Sequence, residues 1–224
     1  MKIAEIFYSL QGEGSLVGVP SIFIRTSGCN LRCTWCDTPY TSWRPEGEDR
    51  SIDQILSTLQ DWPAARHVVV TGGEPMIQPE IAALMERLRA IGMHTTIETA
   101  GTVFTPVVCD LMSISPKLAN STPEGSWGPR HEKLRIQRDV LARLMAQYDY
   151  QLKFVIERQE DLEEVWRLVA DLKAEPGRVI LMPEGVARDV LRERSIWLAE
   201  VAKQQGVRFS PRLHVELWGD RRGV

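Results

Sequence analysis

Short apolar runs rich in β-branched residues alternate along the chain with segments of helical period. The clearest helix, predicted for 79–91, keeps its apolar residues on one face and is followed by Gly92. Two more helices are predicted for 161–172 and 187–205. The apolar runs predict strands at 20–26, 67–71, 94–98, 110–114, 150–156, 178–182 and 207–210. This alternation is typical of an α/β fold in which helices cover a parallel sheet.

The strand pattern leaves two architectures open. About six parallel strands with outer helices form either an open doubly wound sheet or a partial β/α barrel, and sequence period does not choose between them. We expect residues 1–224 to form a single domain. In both architectures ligands gather at the carboxyl ends of the strands. The turns of interest therefore follow the predicted strands, at 28–30, 72–75, 99–101, 115–117 and 182–184.

Composition and charge narrow the class of ligand. The chain has 224 residues, of which 43% are hydrophobic and 25% charged, with a net charge of −3. Because this balance gives no overall basic field, we expect no nucleic-acid partner. Glu5 places an acid near the start of the chain, and no apolar stretch approaches the length of a membrane span. We expect a cytoplasmic protein with no membrane partner and a small or weakly charged substrate.

Two polar segments interrupt the alternation of strands and helices. Residues 41–50 read as a connector, and 119–133 is rich in turn-forming residues and has no helical period. We predict that 119–133 is a surface loop. Such a loop either closes over a site or serves as a mobile connector.

Three of the four cysteines lie within eight residues, in Cys29-Asn-Leu-Arg-Cys33-Thr-Trp-Cys36. This crowding indicates metal ligation rather than a disulfide framework. Structural zinc sites and ordinary electron-transfer clusters use four protein ligands, so three cysteines leave one iron of a cubane cluster open. The alternative is a zinc site completed from a distance by Cys109 or His67. Cys109 itself reads as a buried, inert thiol.

The cysteine spacing, with an aromatic residue before the last cysteine, resembles the signature of the radical S-adenosylmethionine (SAM) superfamily. The resemblance extends to Gly72-Gly-Glu-Pro75 after the second predicted strand. It favours the partial barrel and implies that Cys29, Cys33 and Cys36 hold a 4Fe-4S cluster, which generates the radical by cleaving SAM. The residues it implies for binding the cofactor are Trp35, Cys36, Asp37, Gly73, Glu74, Ser115, Pro116, Lys117, Met182, Pro183 and Glu184.

Segments 7–14, 23–29 and 36–40 narrow the resemblance to the 7-carboxy-7-deazaguanine synthase family. The match is dense before Pro75 and sparse after Lys117. It implies that 6-carboxy-5,6,7,8-tetrahydropterin is converted to 7-carboxy-7-deazaguanine by a radical ring contraction that releases ammonia. The product belongs to the biosynthesis of queuosine and other 7-deazapurines.

The same resemblance implies a set of substrate residues. Arg25 is suited to a bidentate bond with the pterin carboxylate, because its apolar neighbours make a fully exposed position improbable. Thr38 corresponds to a threonine that the family associates with Mg²⁺, an ion that needs few protein ligands. Glu98 either reaches the ribose hydroxyls of SAM or ends an exposed strand. The remaining substrate residues are Leu10, Gln11, Gly12, Glu13, Thr71 and His214, the last of which we place in the final strand.

Family resemblance further implies an electron donor such as flavodoxin and a homodimeric state. Two alternatives to the pterin reaction remain at this point. One is a radical activase that acts on a partner protein. The other is a zinc-stabilised binding module without catalysis.

Overall fold

The computed structural model describes residues 1–224 as a nine-stranded sheet with helices packed on its outer side. The strand order is β3-β1-β2-β4-β5-β6-β7-β8-β9. All neighbours from β2 to β9 are parallel, whereas β1 runs antiparallel to both β2 and β3. The strands are β1 Lys2–Leu10, β2 Pro20–Thr26, β3 Glu48–Asp49, β4 His67–Gly72, β5 His94–Thr99, β6 Leu111–Ile114, β7 Tyr150–Ile156, β8 Val179–Pro183 and β9 Arg208–Phe209.

The sheet does not close, because β3 and β9 remain at opposite edges. The prediction of an α/β fold with a partial barrel is therefore confirmed. Every strand predicted from the sequence is present, and its ends differ by at most a residue or two. The sequence reading missed β3, which has only two residues, and β1, a half-buried strand in which only Ile3 is fully buried, so that its apolar pattern is weak.

Helices fill most of the connections between the strands. The predicted helices α3, α6 and α7 are confirmed, and none of the helices has the length and apolarity that crossing a bilayer requires. Acidic residues occupy the first turn of α6, where they favour the positive end of the helix dipole. The helices are α1 Pro39–Ser42, α2 Ile52–Leu59, α3 Ile81–Ala90, α4 Gly128–Leu134, α5 Arg138–Gln147, α6 Asp161–Leu172, α7 Arg188–Gln205 and α8 Leu213–Trp218.

Two local predictions are corrected by the structure. Residues 119–133 are not a surface loop: they form two short 3₁₀ turns and most of α4, with Ser121 and His131 buried. His214 is not in a strand, because β9 ends at Phe209 and His214 lies in α8. Pro211, which has no N–H to donate to a sheet, separates these two elements.

The two faces of the sheet differ in polarity. The outer face and the helices share one hydrophobic core, which includes Ile24, Val70, Ile97 and Phe154. The strand residues that alternate with these point inward, and many of them are polar. The inner face therefore lines a site rather than a second apolar core.

Candidate active site

A cavity of about 500 Å³ lies at the carboxyl edge of the sheet. It brings together residues from the cysteine loop, the segment after β1, several strand ends and the last helix. Of the site residues predicted from the sequence, all but three line it. Those that do are Leu10, Gln11, Gly12, Glu13, Arg25, Cys29, Cys33, Trp35, Cys36, Asp37, Thr38, Thr71, Gly73, Ser115, Lys117, Met182, Glu184 and His214.

Glu74, Pro116 and Pro183 do not reach the cavity. Glu74 has no exposed surface, and its carboxylate accepts hydrogen bonds from the Met76 N–H at 3.1 Å, the Thr99 hydroxyl at 2.7 Å and the Ala100 N–H at 2.9 Å. Burial raises the pKa of this carboxyl group. The Glu74 side chain thus connects the end of β4 to the end of β5. Pro116 and Pro183 are buried at the ends of their strands.

The Gly72-Gly73 pair supports the start of the cysteine loop. A Cβ atom on Gly73 would come within 2.1 Å of the Gly28 carbonyl oxygen, so only glycine fits this close approach. The backbone N–H of Glu74 donates to the same oxygen at 2.9 Å, and that of Gly73 donates to Thr26 at 3.1 Å. The Gly-Gly-Glu-Pro turn therefore fixes where the loop leaves β2.

The three cysteines face the cavity from one loop and suit a cluster. The Leu31 N–H donates to Cys29 Sγ at 3.4 Å. Burial raises the pKa of both Cys29 and Cys33 to about 12. Thiolates in such surroundings need a bound cation, which the irons of a cluster supply. Cys109 and His67, the proposed fourth ligands of a zinc site, do not line the cavity.

Residues 119–134 brace the outer side of the cysteine loop. The Thr34 N–H donates to the Ser121 carbonyl at 2.9 Å, and Trp35 Nε1 donates to the Asn120 carbonyl at 3.0 Å. The Arg32 N–H donates to His131 Nδ1 at 3.1 Å, which leaves the Nε2 hydrogen of this imidazole for Ser121 Oγ at 2.9 Å. The segment expected to be a loop is thus part of the support of the cysteines.

Polar residues form a row across the inner face of the sheet. Strand pairing places Glu5 beside Arg25, Arg25 beside Thr71 and Glu98 beside Ser113. Ser113 in turn pairs with Gln151, whose Nε2 donates to Ser113 Oγ at 2.7 Å. Arg25, Thr71, Glu98 and Ser113 of this row line the cavity and form its floor.

Glu98 lies on this floor next to Gln11 and Thr71. Its carboxylate accepts hydrogen bonds from Gln11 Nε2 at 3.1 Å and from the Thr71 hydroxyl at 2.8 Å. The expectation of an exposed strand end is wrong, because Glu98 faces the cavity.

Arg25 is held at one end of the floor. Its Nε donates to Glu5 at 2.6 Å, and its two terminal nitrogens have no hydrogen-bond partner within the chain. Glu5 also accepts from the Tyr40 hydroxyl at 2.8 Å and from Arg222 at 3.0 Å. The terminal nitrogens of Arg25 are therefore free for an anionic ligand.

A second charge network, made of Glu13, Lys153, Arg212 and Asp37, lines the same cavity. Glu13 binds Lys153 and also accepts a hydrogen bond from Arg212 at 3.1 Å, and Arg212 binds Asp37. Burial opposes the charge on Glu13, but Lys153 and Arg212 hold its pKa below the ordinary value. Burial likewise opposes the charge on Lys153, whose pKa Glu13 raises.

The sequence reading did not identify Lys153, Arg212, Ser113 or Gln151. A signal for two of them was available in β7, Tyr150-Gln-Leu-Lys-Phe-Val-Ile, where Gln151 and Lys153 alternate with apolar residues in a strand that is buried throughout. Period-two polarity in a buried parallel strand indicates a polar ligand-facing side. No comparable local signal marks Arg212.

Comparison with known proteins agrees with this site. The family model described as the radical SAM superfamily matches residues 23–118. The 7-carboxy-7-deazaguanine synthase of Halobacterium salinarum is 45% identical, over 98% of this chain and 91% of its own length. The enzyme of the same name from Rhodopirellula baltica is 43% identical, over 100% of this chain and 89% of its own.

A solved structure gives the same assignment. The crystal structure of QueE from Escherichia coli matches with a TM-score of 0.70 at 30% identity, and the match covers 95% of this chain and 94% of that one. The superfamily implies a 4Fe-4S cluster and SAM as cofactors, which the three cavity-facing cysteines fit. The chain therefore belongs to the 7-carboxy-7-deazaguanine synthase family of radical SAM enzymes.

Proposed function

We propose that this cavity converts 6-carboxy-5,6,7,8-tetrahydropterin to 7-carboxy-7-deazaguanine with release of ammonia. The observation that carries the proposal is the single cavity in which the cysteine loop meets Arg25 and the turn Gln11-Gly-Glu13. When bound, the cluster and SAM supply the carbon-centred radical that the rearrangement needs. The chain supplies the position of the substrate and a site shielded from bulk water.

Arg25 is assigned to the carboxylate of the pterin. Glu5 fixes the guanidinium group through Nε, so the two terminal nitrogens point as a prearranged fork toward a ligand. A small carboxylated substrate suits this arrangement better than a protein partner does. For this reason the structure favours the pterin reaction over a radical activase.

The turn after β1 and the floor of the cavity are assigned to the pyrimidine edge of the pterin. Gln11 and Thr71 are held by Glu98, and the Glu13 N–H donates to Gln11 Oε1 at 3.1 Å. These bonds keep donors and acceptors in fixed directions before the substrate binds. Gly12 permits the turn to pass His214, because a Cβ there would come within 1.9 Å of the imidazole Nδ1.

The cofactor side of the cavity is assigned to Trp35, Ser115, Lys117, Met182 and Glu184. Lys117 Nζ donates to Ser115 at 2.9 Å and lies 5.6 Å from the centre of the Trp35 ring. The ammonium group is thus placed where it can meet a carboxylate such as that of the methionine part of SAM.

Thr38 is assigned to Mg²⁺ together with the substrate carboxylate. Its hydroxyl lies in the cavity, one residue past Asp37 and 3.9 Å from Cys36 Sγ. One hydroxyl with waters and substrate oxygens is a shell that Mg²⁺ accepts. The test is addition of Mg²⁺ to metal-stripped, cluster-loaded protein, which we expect to raise the rate of product formation.

The proposed function is tested by anaerobic turnover. Cluster-loaded protein is incubated with SAM, a reductant, Mg²⁺ and 6-carboxy-5,6,7,8-tetrahydropterin, and 7-carboxy-7-deazaguanine and 5′-deoxyadenosine are measured by mass. We expect both products. Cleavage of SAM without deazaguanine would overturn the substrate assignment.

Two partners follow from family membership and remain proposals. An electron donor such as flavodoxin is tested by replacing the chemical reductant in the same assay with reduced flavodoxin. A homodimer is tested by the mass of the protein in solution.

A further inference from the structure

Arg212 lies where three segments of the cavity wall meet. Its Nε donates to Glu13 at 3.1 Å, its Nη1 donates to the Gly185 carbonyl at 2.7 Å, and its Nη2 binds Asp37. Glu13 belongs to the turn Gln11-Gly-Glu13, here called the substrate turn, and Asp37 ends the cysteine loop 29–37, here called the cofactor loop. Gly185 follows β8. The side chain is only 7% exposed, so one buried guanidinium group joins the substrate side to the cofactor side.

The charges around Arg212 cancel. Glu13 and Asp37 are offset by Arg212 and Lys153, which gives two carboxylates and two cations in one connected network. Although burial opposes a charge on Arg212, Asp37 and Glu13 raise its pKa, so it stays protonated. Removing Glu13, Lys153 or Arg212 leaves an unpaired charge in a buried site, which is costly, whereas the Asp37 side chain is 44% exposed.

The segment that carries Arg212 already holds the substrate turn by other contacts. Ser210 Oγ accepts a hydrogen bond from the Gly14 N–H at 2.7 Å, and the Leu213 N–H donates to the Gly12 carbonyl at 2.9 Å. The carboxylate of Asp37, in contrast, has Arg212 as its only hydrogen-bond partner. The bond between Arg212 and Asp37 is therefore the one bond of this network that reaches the cofactor loop, while the bond to the Gly185 carbonyl reaches the end of β8.

We propose that Arg212 is a positioning residue that couples the substrate turn to the cofactor loop, so that binding of the pterin and binding of SAM favour each other. The proposal rests on the proposed function and deepens it. A radical formed at the cofactor reacts productively only when the hydrogen to be removed lies at the right place. A displacement of about 1 Å costs on the order of 10²-fold in rate.

Arginine suits this role in a way that lysine does not. Three separate nitrogens of one planar group reach three partners, whereas an ammonium group is a single point of charge. Arg212→Lys keeps the positive charge next to Glu13 and loses the geometry. This variant separates charge from position, and Asp37→Asn weakens the bond to the cofactor loop while the substrate turn stays intact.

The matched control is Arg135→Gln. Arg135 is the other buried arginine; it binds Glu132 and Glu164 outside the cavity and donates to the Lys117 carbonyl at 3.1 Å, but it makes no bond to the substrate turn or to Asp37. Its loss should lower stability without changing the coupling between the two ligands. Equal effects in the Arg212 and Arg135 variants would mark a general loss of stability.

Two measurements test the proposal on cluster-loaded protein. The first is the dissociation constant of SAM without reductant, in the presence and absence of 6-carboxy-5,6,7,8-tetrahydropterin. The second is the amount of 5′-deoxyadenosine formed per 7-carboxy-7-deazaguanine during turnover. The first readout is a binding equilibrium, so it does not depend on catalysis.

In the unmodified protein we expect the pterin to tighten SAM binding at least about fivefold, and the reverse effect must be equal. In Arg212→Lys and Asp37→Asn this factor should fall close to one, and more 5′-deoxyadenosine should form per product. Arg135→Gln should keep both values. An Arg212 variant in which the pterin still tightens SAM binding by the original factor, and in which the ratio of 5′-deoxyadenosine to 7-carboxy-7-deazaguanine is unchanged, would overturn the positioning role. An equal loss of the binding factor in Arg135→Gln would overturn it as well. An unmodified protein that neither binds the pterin nor forms deazaguanine overturns the proposed function instead.

Discussion

The cavity and the amino edge of the parallel sheet carry different kinds of buried polar group. In the cavity, Glu13 binds two cations, and Arg212 binds two carboxylates and one backbone carbonyl, all from distant segments. At the amino edge, His67 and His94 begin neighbouring strands with their ring centres 4.6 Å apart. The Nδ1 atom of each ring is buried without a hydrogen-bond partner.

The difference shows which part of the molecule the fold equips for chemistry. A buried charge costs several kcal/mol unless it is paired, so a chain that concentrates charges in a cavity must supply their partners there. The turn after β1 and the segment before α8 do this across the inner face of the sheet. At the amino edge the buried Nδ1 atoms of His67 and His94 have no such partners, although Asp110 accepts two hydrogen bonds from Thr95 there. A connected set of buried charges with complete partners marks the functional part of the molecule.

The largest effect is expected from Cys33→Ala at the carboxyl edge. Removing one of the three thiols should prevent stable binding of the cluster. Neither Cys109 nor His67, the residues considered as further ligands, lines the cavity, so neither can replace it. We expect iron content and visible absorption to fall and both reaction products to drop to background. The control is Cys109→Ala, which removes the cysteine outside the cavity and should keep the iron content, the visible absorption and both products. Full activity in Cys33→Ala would refute the cluster assignment.

A smaller effect is expected from Lys153→Met in the charge network. Glu13 would keep only Arg212, which it shares with Asp37, so the free energy of unfolding should fall by about 3 kcal/mol. Product formation should also fall, on the order of 10²-fold, because the substrate turn loses the bond between Glu13 and Lys153. Urea unfolding and the turnover assay measure the two effects.

The double variant Lys153→Met with Glu13→Gln separates stability from function. Neutralising both partners removes the unpaired charge, so most of the lost stability should return while product formation stays low. A Lys153→Met protein as stable as the original would show that Glu13 does not depend on this lysine.

Local sequence patterns were sufficient for the strands, and the family resemblance supplied most of the residues of the cavity. It implied Arg25 and Thr71, which strand pairing places side by side near the carboxyl ends of β2 and β4. Lys153 and Arg212 were not predicted, because their shared partner Glu13 lies 140 and 199 residues away along the chain. Only the register of the sheet and the path of the last segment reveal these pairs.

Where the reading failed, short elements or distant partners decided the outcome. Residues 119–134 form helices of less than two turns, too short for a helical period to show. The direction of the Glu74 side chain depends on Thr99 and Ala100, which belong to the next strand and its end. The carboxylate therefore turns into the core although the motif alone suggests a ligand contact.

The smallest effect is expected at the amino edge, from the paired imidazoles. Burial and the neighbouring His94 lower the pKa of His67, an effect that Asp110 partly offsets. A folded-state pKa below the unfolded value, about 6.5, means that the unfolded chain binds the proton more readily. The contribution to stability is therefore complete above this pH and declines as the pH falls through it.

Lowering the pH from about 7.5 to about 5.5, above the range where ordinary carboxylates titrate, should lower the urea midpoint. The double variant His67→Gln/His94→Gln should show a smaller decrease, while His131 and His214, whose pKa values burial also lowers, keep their share. An unchanged pH dependence in the double variant would show that the imidazoles of His67 and His94 do not limit the stability of this edge.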